Sequence, residues 1–117
     1  MIEKPVFLQG LFAFEGAGLS HPIPLQPNVI YKVPSDKRAQ LVYFRAGNPA
    51  QELIYVLFRR DKKPMRYFPI PAKGATHVEL AVVEDLEPGT ELEVLLGAPQ
   101  ALSSSVLLDF SLVEIDA

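Results

Sequence analysis

The stretch Ser105–Ile115, which reads SVLLDFSLVEI, gives the clearest structural signal in this chain of 117 residues. Its even-numbered positions from Val106 to Leu112 are all apolar, whereas Asp109 and Ser111 between them are polar. Because successive side chains of a β-strand point to opposite faces, this spacing predicts a strand with one buried face and one wet face. Such a strand must pack its apolar face against another layer of the protein.

Runs of the same kind fill the rest of the chain, and turn-forming residues separate them. The runs are rich in Val, Ile, Leu, Phe and Tyr, while the intervening segments contain Pro, Gly, Asn, Asp or Ser. Eight strands are predicted, at Val6–Phe14, Asn28–Val33, Ala39–Arg45, Glu52–Arg60, Pro64–Ile70, Thr76–Glu84, Thr90–Leu96 and Ser105–Ile115.

Long helices are not expected, because eleven prolines are spread along the chain and no long segment has an apolar period of 3.6 residues. At most, Ser35–Gln40 forms a helical turn. Ser20–Pro27 contains three prolines, which predicts a stiff connection across one end of the fold. Arg60–Lys63 and Glu87–Thr90 have the composition of tight turns, and we therefore expect consecutive strands to pair.

These patterns predict a single all-β domain over residues 1–117. The expected architecture is an antiparallel β-sandwich of about eight strands, with either an immunoglobulin- or fibronectin-like topology or a jelly-roll topology. The length suits one domain with its own core.

The run Leu53–Phe58 differs from the others because both of its faces are apolar. Either it is a central strand, or one of its faces belongs to an interface through which the chain self-associates or binds a protein partner. In the second case the interface would include Leu53, Tyr55, Leu57, Arg59 and Arg60.

The segment Leu86–Leu92, LEPGTEL, followed by Glu93–Leu96, resembles the turn and strand that carry the tyrosine corner in fibronectin type III domains. Leu92 stands where that family places its tyrosine, and the chain has no tryptophan for the core position that such domains usually fill. The resemblance covers about a tenth of the chain. It implies a sandwich fold and carries no expectation about activity.

Charge is distributed unevenly along the chain, although the formal net charge is only −3. Residues 37–73 contain nine bases and two acids, whereas residues 74–117 contain nine acids and no Lys or Arg. Two arrangements are open: a dipolar surface that favours self-association or a charged partner, or neighbouring strands that neutralise each other locally.

The sequence also indicates where in the cell the protein is located. There is no cysteine, so disulfides and thiolate chemistry are excluded. The N-terminus places Glu3 and Pro5 where a secretion signal would be basic, and no uncharged apolar run approaches the length of a bilayer-spanning helix. We therefore expect a cytoplasmic protein that does not bind membranes.

No catalytic set, metal site or cofactor motif is predicted. The two histidines, His21 and His77, lie far apart in sequence, and a pair formed by His77 and Glu79 lacks the third ligand that a zinc site needs. Nucleic-acid binding is not expected, because the sequence pI of about 5.3 is opposite to the basic character of such domains.

Two segments could nevertheless hold a ligand. A basic and aromatic hairpin around residues 59–68 and the strand end at residues 43–48 offer cations, an aromatic platform and an amide, which suit a sugar or a small anion. The same residues could instead protect a sheet edge or form ordinary turn and ion-pair contacts. The candidate ligand-binding residues are Arg45, Asn48, Arg66, Tyr67 and His77.

The sequence thus predicts a non-enzymatic binding or assembly module, such as an accessory subunit of a larger protein or a homo-oligomer. The alternative is a carbohydrate- or anion-binding module that uses the Arg, Asn, Tyr and His residues named above.

Overall fold

A computed structural model describes residues 3–117 and confirms the all-β prediction. Met1 and Ile2 lie outside the described residues. Every element in this part of the chain is a β-strand, and none is a helix that could cross a membrane. The strands are β1 Lys4–Glu15, β2 Gly18–Lys32, β3 Lys37–Asn48, β4 Ile54–Arg60, β5 Lys63–Ile70, β6 Gly74–Glu79, β7 Asp85–Leu86, β8 Glu91–Ala98 and β9 Ser103–Asp116.

The strands form two antiparallel sheets that pack face to face as a β-sandwich. Sheet A has the order β1–β9–β3–β6, with the short β7 also paired to β3, and sheet B has the order β2–β8–β4–β5. The pairs are nested along the chain, since β1 with β9 and β2 with β8 enclose β3 with β6 and β4 with β5. This order is the jelly roll, which decides between the two predicted topologies.

The nested pairing overturns two expectations. Consecutive strands pair only at β4 and β5, because the other connections lead to strands that are not hydrogen-bonded to the one before. The fibronectin-like strand order is therefore wrong, although the turn that suggested it is present. In that turn Gly89 has a φ of 82°, and the Thr90 amide donates to the Glu87 carbonyl at 3.1 Å.

The core lies between the sheets and follows the predicted alternation. The inward side chains of β9, from Val106 to Leu112, and those of β8, from Leu92 to Leu96, are all buried. Between them four phenylalanines form an aromatic cluster with ring centroids 4.1–5.7 Å apart, namely Phe44, Phe58, Phe68 and Phe110. Such aromatic contacts add to the free energy gained from burying the rings.

The proline-rich segment Ser20–Pro27 is part of β2 and not a connection, which corrects the prediction. Its prolines are tolerated because β2 is an edge strand and has a hydrogen-bonded neighbour on one side only. The pairing of β2 with β8 shifts register twice, between Gly18 and Ile23 and between Pro24 and Val29. The predicted helical turn at Ser35–Gln40 is also absent, because β3 begins at Lys37.

The tight turn predicted at Arg60–Lys63 is confirmed. Asp61 and Lys62 both have positive φ, at 47° and 68°, and this geometry matches the twist of a two-residue hairpin. The Asp61 carboxylate accepts a hydrogen bond from the Glu91 amide at 2.9 Å, which ties the hairpin to the start of β8.

β4 is the central strand that its two apolar faces suggested, since it lies between β8 and β5. Its outward side chain Leu57 is 3% exposed, because Tyr67 and Leu95 lie opposite it on the two neighbouring strands. Tyr55 lies over Gly97 and donates its hydroxyl to the Leu19 carbonyl at 2.6 Å.

Of the five residues predicted for an interface, only Leu53 is an exposed apolar side chain without such cover. Arg59 is paired with Glu93, and Arg60 with Glu84. A subunit interface on this strand remains a prediction.

The uneven charge is neutralised locally, as the second of the two arrangements predicted. Among residues 3–117, each ion pair joins a base from residues 37–66 to an acid from residues 84–116. The pairs are Lys37–Asp116, Arg38–Asp85, Arg45–Asp109, Arg59–Glu93, Arg60–Glu84 and Arg66–Glu84.

Candidate functional site

A row of polar side chains crosses the outer face of sheet A. Gln9 of β1 lies opposite Asp109 of β9, Asp109 opposite Arg45 of β3, and Arg45 opposite His77 of β6. Residues that are directly opposite in antiparallel strands point to the same face. All four side chains therefore point away from the core, and we call them the polar row.

Asp109 is the centre of the polar row. Its Oδ1 accepts hydrogen bonds from the Tyr43 hydroxyl at 2.8 Å and from Gln9 Nε2 at 3.3 Å. Its Oδ2 lies 3.7 Å from Arg45 Nη2. Three side chains from two strands, β1 and β3, are thereby held around one carboxylate of β9, so the row is ordered before any ligand arrives.

Tyr43 is part of the same cluster. The Arg45 guanidinium lies 5.5 Å from the centre of the Tyr43 ring, and the His77 ring meets the Tyr43 ring edge-on at 6.3 Å. The hydrogen bond to Asp109 raises the pKa of Tyr43 above its ordinary value, while Arg45 acts in the opposite direction. Tyr43 therefore stays protonated and donates its hydroxyl to Asp109 at neutral pH.

Exposed apolar side chains flank the polar row on both sides. Phe7 lies on one side and is 59% exposed, while Leu11 and Leu107 lie opposite each other on the other side, at 68% and 56%. Large apolar side chains on an outer sheet face are costly to hydrate, and in a cluster they mark binding surfaces.

A depression of about 190 Å³ opens beside the polar row, and Arg45, His77, Asp109 and Leu107 contribute to its wall. Gly47 deepens it, because a Cβ at that position would lie 3.6 Å from the Leu107 side chain. A wider depression of about 580 Å³ continues from Gly47 and Leu107 towards Leu11, Lys73 and neighbouring residues.

The chemistry of this surface suits hydroxyl groups. A carboxylate accepts, a guanidinium donates, and an amide or imidazole can do both, so adjacent hydroxyls of one ligand can be bound together. Phe7, Leu11 and Leu107 can cover the apolar parts of the same ligand. A small number of placed polar groups beside apolar surface is the usual composition of small-molecule sites.

The five predicted ligand residues do not converge on one surface. Arg45 and His77 meet in the polar row, whereas Arg66 and Tyr67 belong to β5 in sheet B. Arg66 is held by Glu84, with Nε 3.2 Å from the Glu84 carboxylate, and also donates to the Val82 carbonyl. The single patch that the sequence suggested is therefore wrong.

Asn48 is structural and 3% exposed, although it contributes to the wall of the wider depression beside Gly47. Its amide nitrogen donates to the carbonyls of Glu52, Ile70 and Pro71, and its carbonyl accepts from the Ala50 amide. These contacts hold the connection after β3 against the end of β5 and engage the donors of the Asn48 amide group.

Three polar members of the site, Gln9, Tyr43 and Asp109, were not among the predicted ligand residues. Neither were the flanking apolar residues Phe7, Leu11 and Leu107. The sequence does carry a signal for Asp109, since it is the one charged residue in the otherwise apolar or hydroxyl-bearing segment 105–113. It carries no signal that Gln9 is its neighbour, because those two residues are 100 positions apart.

Neither histidine forms a metal or catalytic cluster in the described part of the chain. Within residues 3–117, no group of three His, Asp or Glu residues could hold a metal ion. His21 is exposed on β2, with Nδ1 3.1 Å from the Ser20 hydroxyl, and His77 lines the depression without a carboxylate partner.

Comparison with known proteins gives a distant likeness of fold. No family model and no curated protein matches the chain. It is similar to exo-beta-1,3-galactanase from Phanerochaete chrysosporium with galactose (TM-score 0.45, 13% identity, 98% of this chain and 30% of that one). The same enzyme with beta-1,3-galactotriose gives a TM-score of 0.45 at 15% identity, covering 92% of this chain and 27% of that one.

The structure of infectious bursal disease virus Gx strain is a third neighbour, with a TM-score of 0.41 and 9% identity over 100% of this chain and 34% of that one. The chain thus spans about a third or less of the length of these solved structures. At such low identity the similarity concerns architecture and carries no information about activity.

Proposed function

We propose that this domain is a non-enzymatic carbohydrate-binding module whose site is the outer face of sheet A. The observation that carries the proposal is the polar row, ordered around Asp109 and placed between exposed Phe7 on one side and Leu11 and Leu107 on the other. Packing of the two sheets does not require this cluster, because it lies on the outer face. The exposed apolar side chains beside the polar row are unfavourable in water.

A neutral sugar fits this surface better than a free anion. Within the polar row Arg45 provides one positive charge, but Asp109 lies 3.7 Å away and offsets it, and Glu79 adds a second carboxylate on the same face. An anion would therefore meet little net positive potential. A polyhydroxylated ligand can instead use both signs of charge at once, donating to Asp109 and accepting from Arg45.

The proposed roles follow from position. Asp109 and Arg45 bind hydroxyls at the centre, Gln9 and His77 extend the polar contacts to the two ends of the row, and Phe7 provides an aromatic face. Binding of this kind needs no cofactor. The cytoplasmic location and the accessory role expected from the sequence remain predictions.

The test is a titration of the protein with neutral mono- and oligosaccharides, followed by two-dimensional NMR, with galacturonate and inorganic phosphate as anionic comparisons. We expect shifts at the amides of Gln9, Arg45, His77 and Asp109 with a neutral sugar. Asp109→Ala should weaken binding at least tenfold, or about 1.4 kcal/mol. Tyr67→Ala, which removes an exposed aromatic ring from sheet B, should leave the affinity unchanged.

Thermal unfolding of each variant separates lost binding from lost structure. Failure of all the sugars to shift these amides would contradict the proposal. Stronger binding of phosphate or galacturonate than of the neutral sugars would also contradict it. So would amide shifts that map to sheet B.

A further inference from the structure

The four sheet edges of this protein are not equally protected against pairing with another strand. β2 carries Pro22, Pro24 and Pro27 and two register shifts, and β5 carries Pro64 and Pro69. The remaining edge of sheet A is built by β6 and β7, which have six and two residues. Prolines, bulges and short strands all hinder the addition of a further strand.

β1 has none of these protections along most of its length. It runs for twelve residues, pairs with β9 without a register shift, and contains neither a charge nor a proline between Val6 and Phe14. Its charged residues, Lys4 and Glu15, stand at its two ends. A long, regular and uncharged edge presents a continuous row of unpaired backbone donors and acceptors.

Apolar side chains on both faces of β1 are incompletely covered. Phe7 and Leu11 are exposed on the outer face, and Val6, Leu8, Phe12 and Phe14 are only half-buried against the core. A depression of about 220 Å³ separates this strand from β2, with Leu8 and Phe12 among its lining residues.

We propose that β1 pairs with β1 of a second copy of this chain, antiparallel and about a two-fold axis at Gln9. This register places Phe7 of each copy opposite Leu11 of the other on the outer face, and Val6 opposite Phe12 on the inner face. Other registers that keep outer face beside outer face are less favourable. In some, Phe7 and Leu11 lie opposite smaller, polar or charged residues. In others, Phe7 pairs with Phe7 or Leu11 with Leu11, and fewer residues of the two strands overlap.

The apolar pairs and the symmetry favour this register. The charged residues stand at the two ends of β1, where Lys4 lies opposite Phe14 and the exposed Glu3 lies opposite the exposed Glu15 of the second copy. Interfaces of this isologous kind close the assembly at two subunits. The two sheets A become one continuous sheet.

The pairing has a consequence for the polar row. A two-fold axis perpendicular to the sheet keeps both outer faces on the same side, so the rows of the two copies meet end to end at Gln9. The dimer itself does not depend on the proposed sugar binding, because its contacts are those of β1 alone.

The mass of the protein in solution tests the proposal. Sedimentation equilibrium in the micromolar range should give twice the 12.9 kDa of one chain. Leu11→Lys should shift the mass to that of one chain, because a charge would be placed against Phe7 of the second copy. Leu107→Lys is the matched control: Leu107 lies opposite Leu11 on the same face but on interior strand β9, so this variant should remain a dimer.

Cross-linking tests the register independently. The chain has no cysteine, so Gln9→Cys introduces a single thiol at the two-fold axis, and mild oxidation should link two chains. Ala75→Cys, exposed on the opposite edge of sheet A, should stay unlinked.

A monomeric wild-type protein would overturn the proposal and leave this edge for a strand of a different protein. A dimer that survives Leu11→Lys and is not linked through Gln9→Cys would also overturn it, because its interface would lie elsewhere. Neither measurement involves a sugar, so failure here is distinct from failure of the proposed function.

Discussion

Tyr31 and Glu114 make the one direct hydrogen bond between side chains of opposite sheets among the described core residues. The Tyr31 hydroxyl of β2 donates to Glu114 of β9 at 2.5 Å, and Glu114 is buried. A buried carboxylate is tolerated only when its acceptors are satisfied. Burial first, and then the hydrogen bond and charge of Glu114, raise the pKa of the Tyr31 hydroxyl.

Tyr31→Phe should therefore lower the free energy of unfolding at neutral pH by on the order of 1–3 kcal/mol, because Glu114 loses its donor. The unfolded chain releases the tyrosine proton near pH 10, whereas the folded chain retains it. The contribution of Tyr31 is thus complete below pH 10 and is lost as the pH rises further. Urea unfolding between pH 7 and pH 11 should show that the difference in free energy of unfolding between wild type and Tyr31→Phe becomes smaller as the pH rises.

Tyr67→Phe is the matched control, because the Tyr67 hydroxyl is exposed and makes no hydrogen bond within residues 3–117. If the difference in free energy of unfolding between wild type and Tyr31→Phe stays constant or increases with pH, the role given to the Tyr31 hydroxyl is wrong.

Single residues were predicted well where their role is local. The sequence places Arg60–Lys63 in a tight turn, and both central residues adopt the positive φ that such a turn requires. For Asn48 the sequence predicts only part of the role: its Oδ1 accepts from the Ala50 amide as a turn residue does, but its amide nitrogen makes contacts that the turn does not indicate. Its three carbonyl partners come from positions 52, 70 and 71, and no local pattern shows that the chain returns there.

At the scale of elements, the contact between β4 and β8 depends on a glycine. A Cβ on Gly97 would lie 2.1 Å from the Tyr55 ring, well inside the closest approach of two carbon atoms. The ring uses this space to reach across β8 and hold the Leu19 carbonyl of β2. One aromatic side chain thus spans three strands of sheet B.

Gly97→Ala should lower the free energy of unfolding by about 1–3 kcal/mol, because the Tyr55 ring must move. In a Tyr55→Ala background the same substitution should cost far less, since the space above Gly97 is then open. Urea unfolding of the two single variants and the double variant measures this coupling. Additive losses would show that the ring and the glycine do not compete for space.

The elements themselves were largely predictable. Eight of the nine strands lie where apolar runs bounded by turn residues predicted them, although β6 ends at Glu79 and not at Glu84. β7 was missed because two residues cannot show a period. The first half of β2 was missed because its prolines indicated a connection. Prolines exclude an interior strand, but they do not exclude an edge strand.

Strand partners were not predictable in the same way. β1 pairs with β9 across almost the whole chain, and an apolar period does not specify which strand lies alongside. The polar row is assembled by such long-range pairings. The sequence therefore identified Arg45 and His77 but not Asp109 of β9, which lies between Gln9 of β1 and Arg45 of β3.

For the molecule as a whole, electrostatics joins the basic middle of the chain to its acidic end. Arg38 and Asp85 illustrate the effect: the hydrogen bond and charge of the guanidinium hold the pKa of Asp85 below its ordinary value. A carboxylate of this kind stabilises the fold above the unfolded pKa near 3.8, and the contribution is lost as the pH falls through the lower folded pKa.

Arg38→Gln should therefore reduce the loss of melting temperature between pH 5 and pH 2, since less stabilisation remains to be lost. Lys62→Gln removes an exposed charge that has no ion pair within the described chain, and its profile should follow that of wild type. Thermal unfolding in low-salt buffers checks both variants, because salt screens exposed pairs. Identical acid profiles for all three proteins would contradict the role of Arg38.

The strand order also governs how the chain can fold while it is being made. β8 lies between β2 and β4, and β9 lies between β1 and β3, yet these two are synthesised after the strands that they join. Before they emerge from the ribosome, only the β4–β5 hairpin and the pairing of β3 with β6 and β7 can form. β1 and β2 have no strand partners during that interval, so their apolar side chains stay in water until β9 and β8 are made.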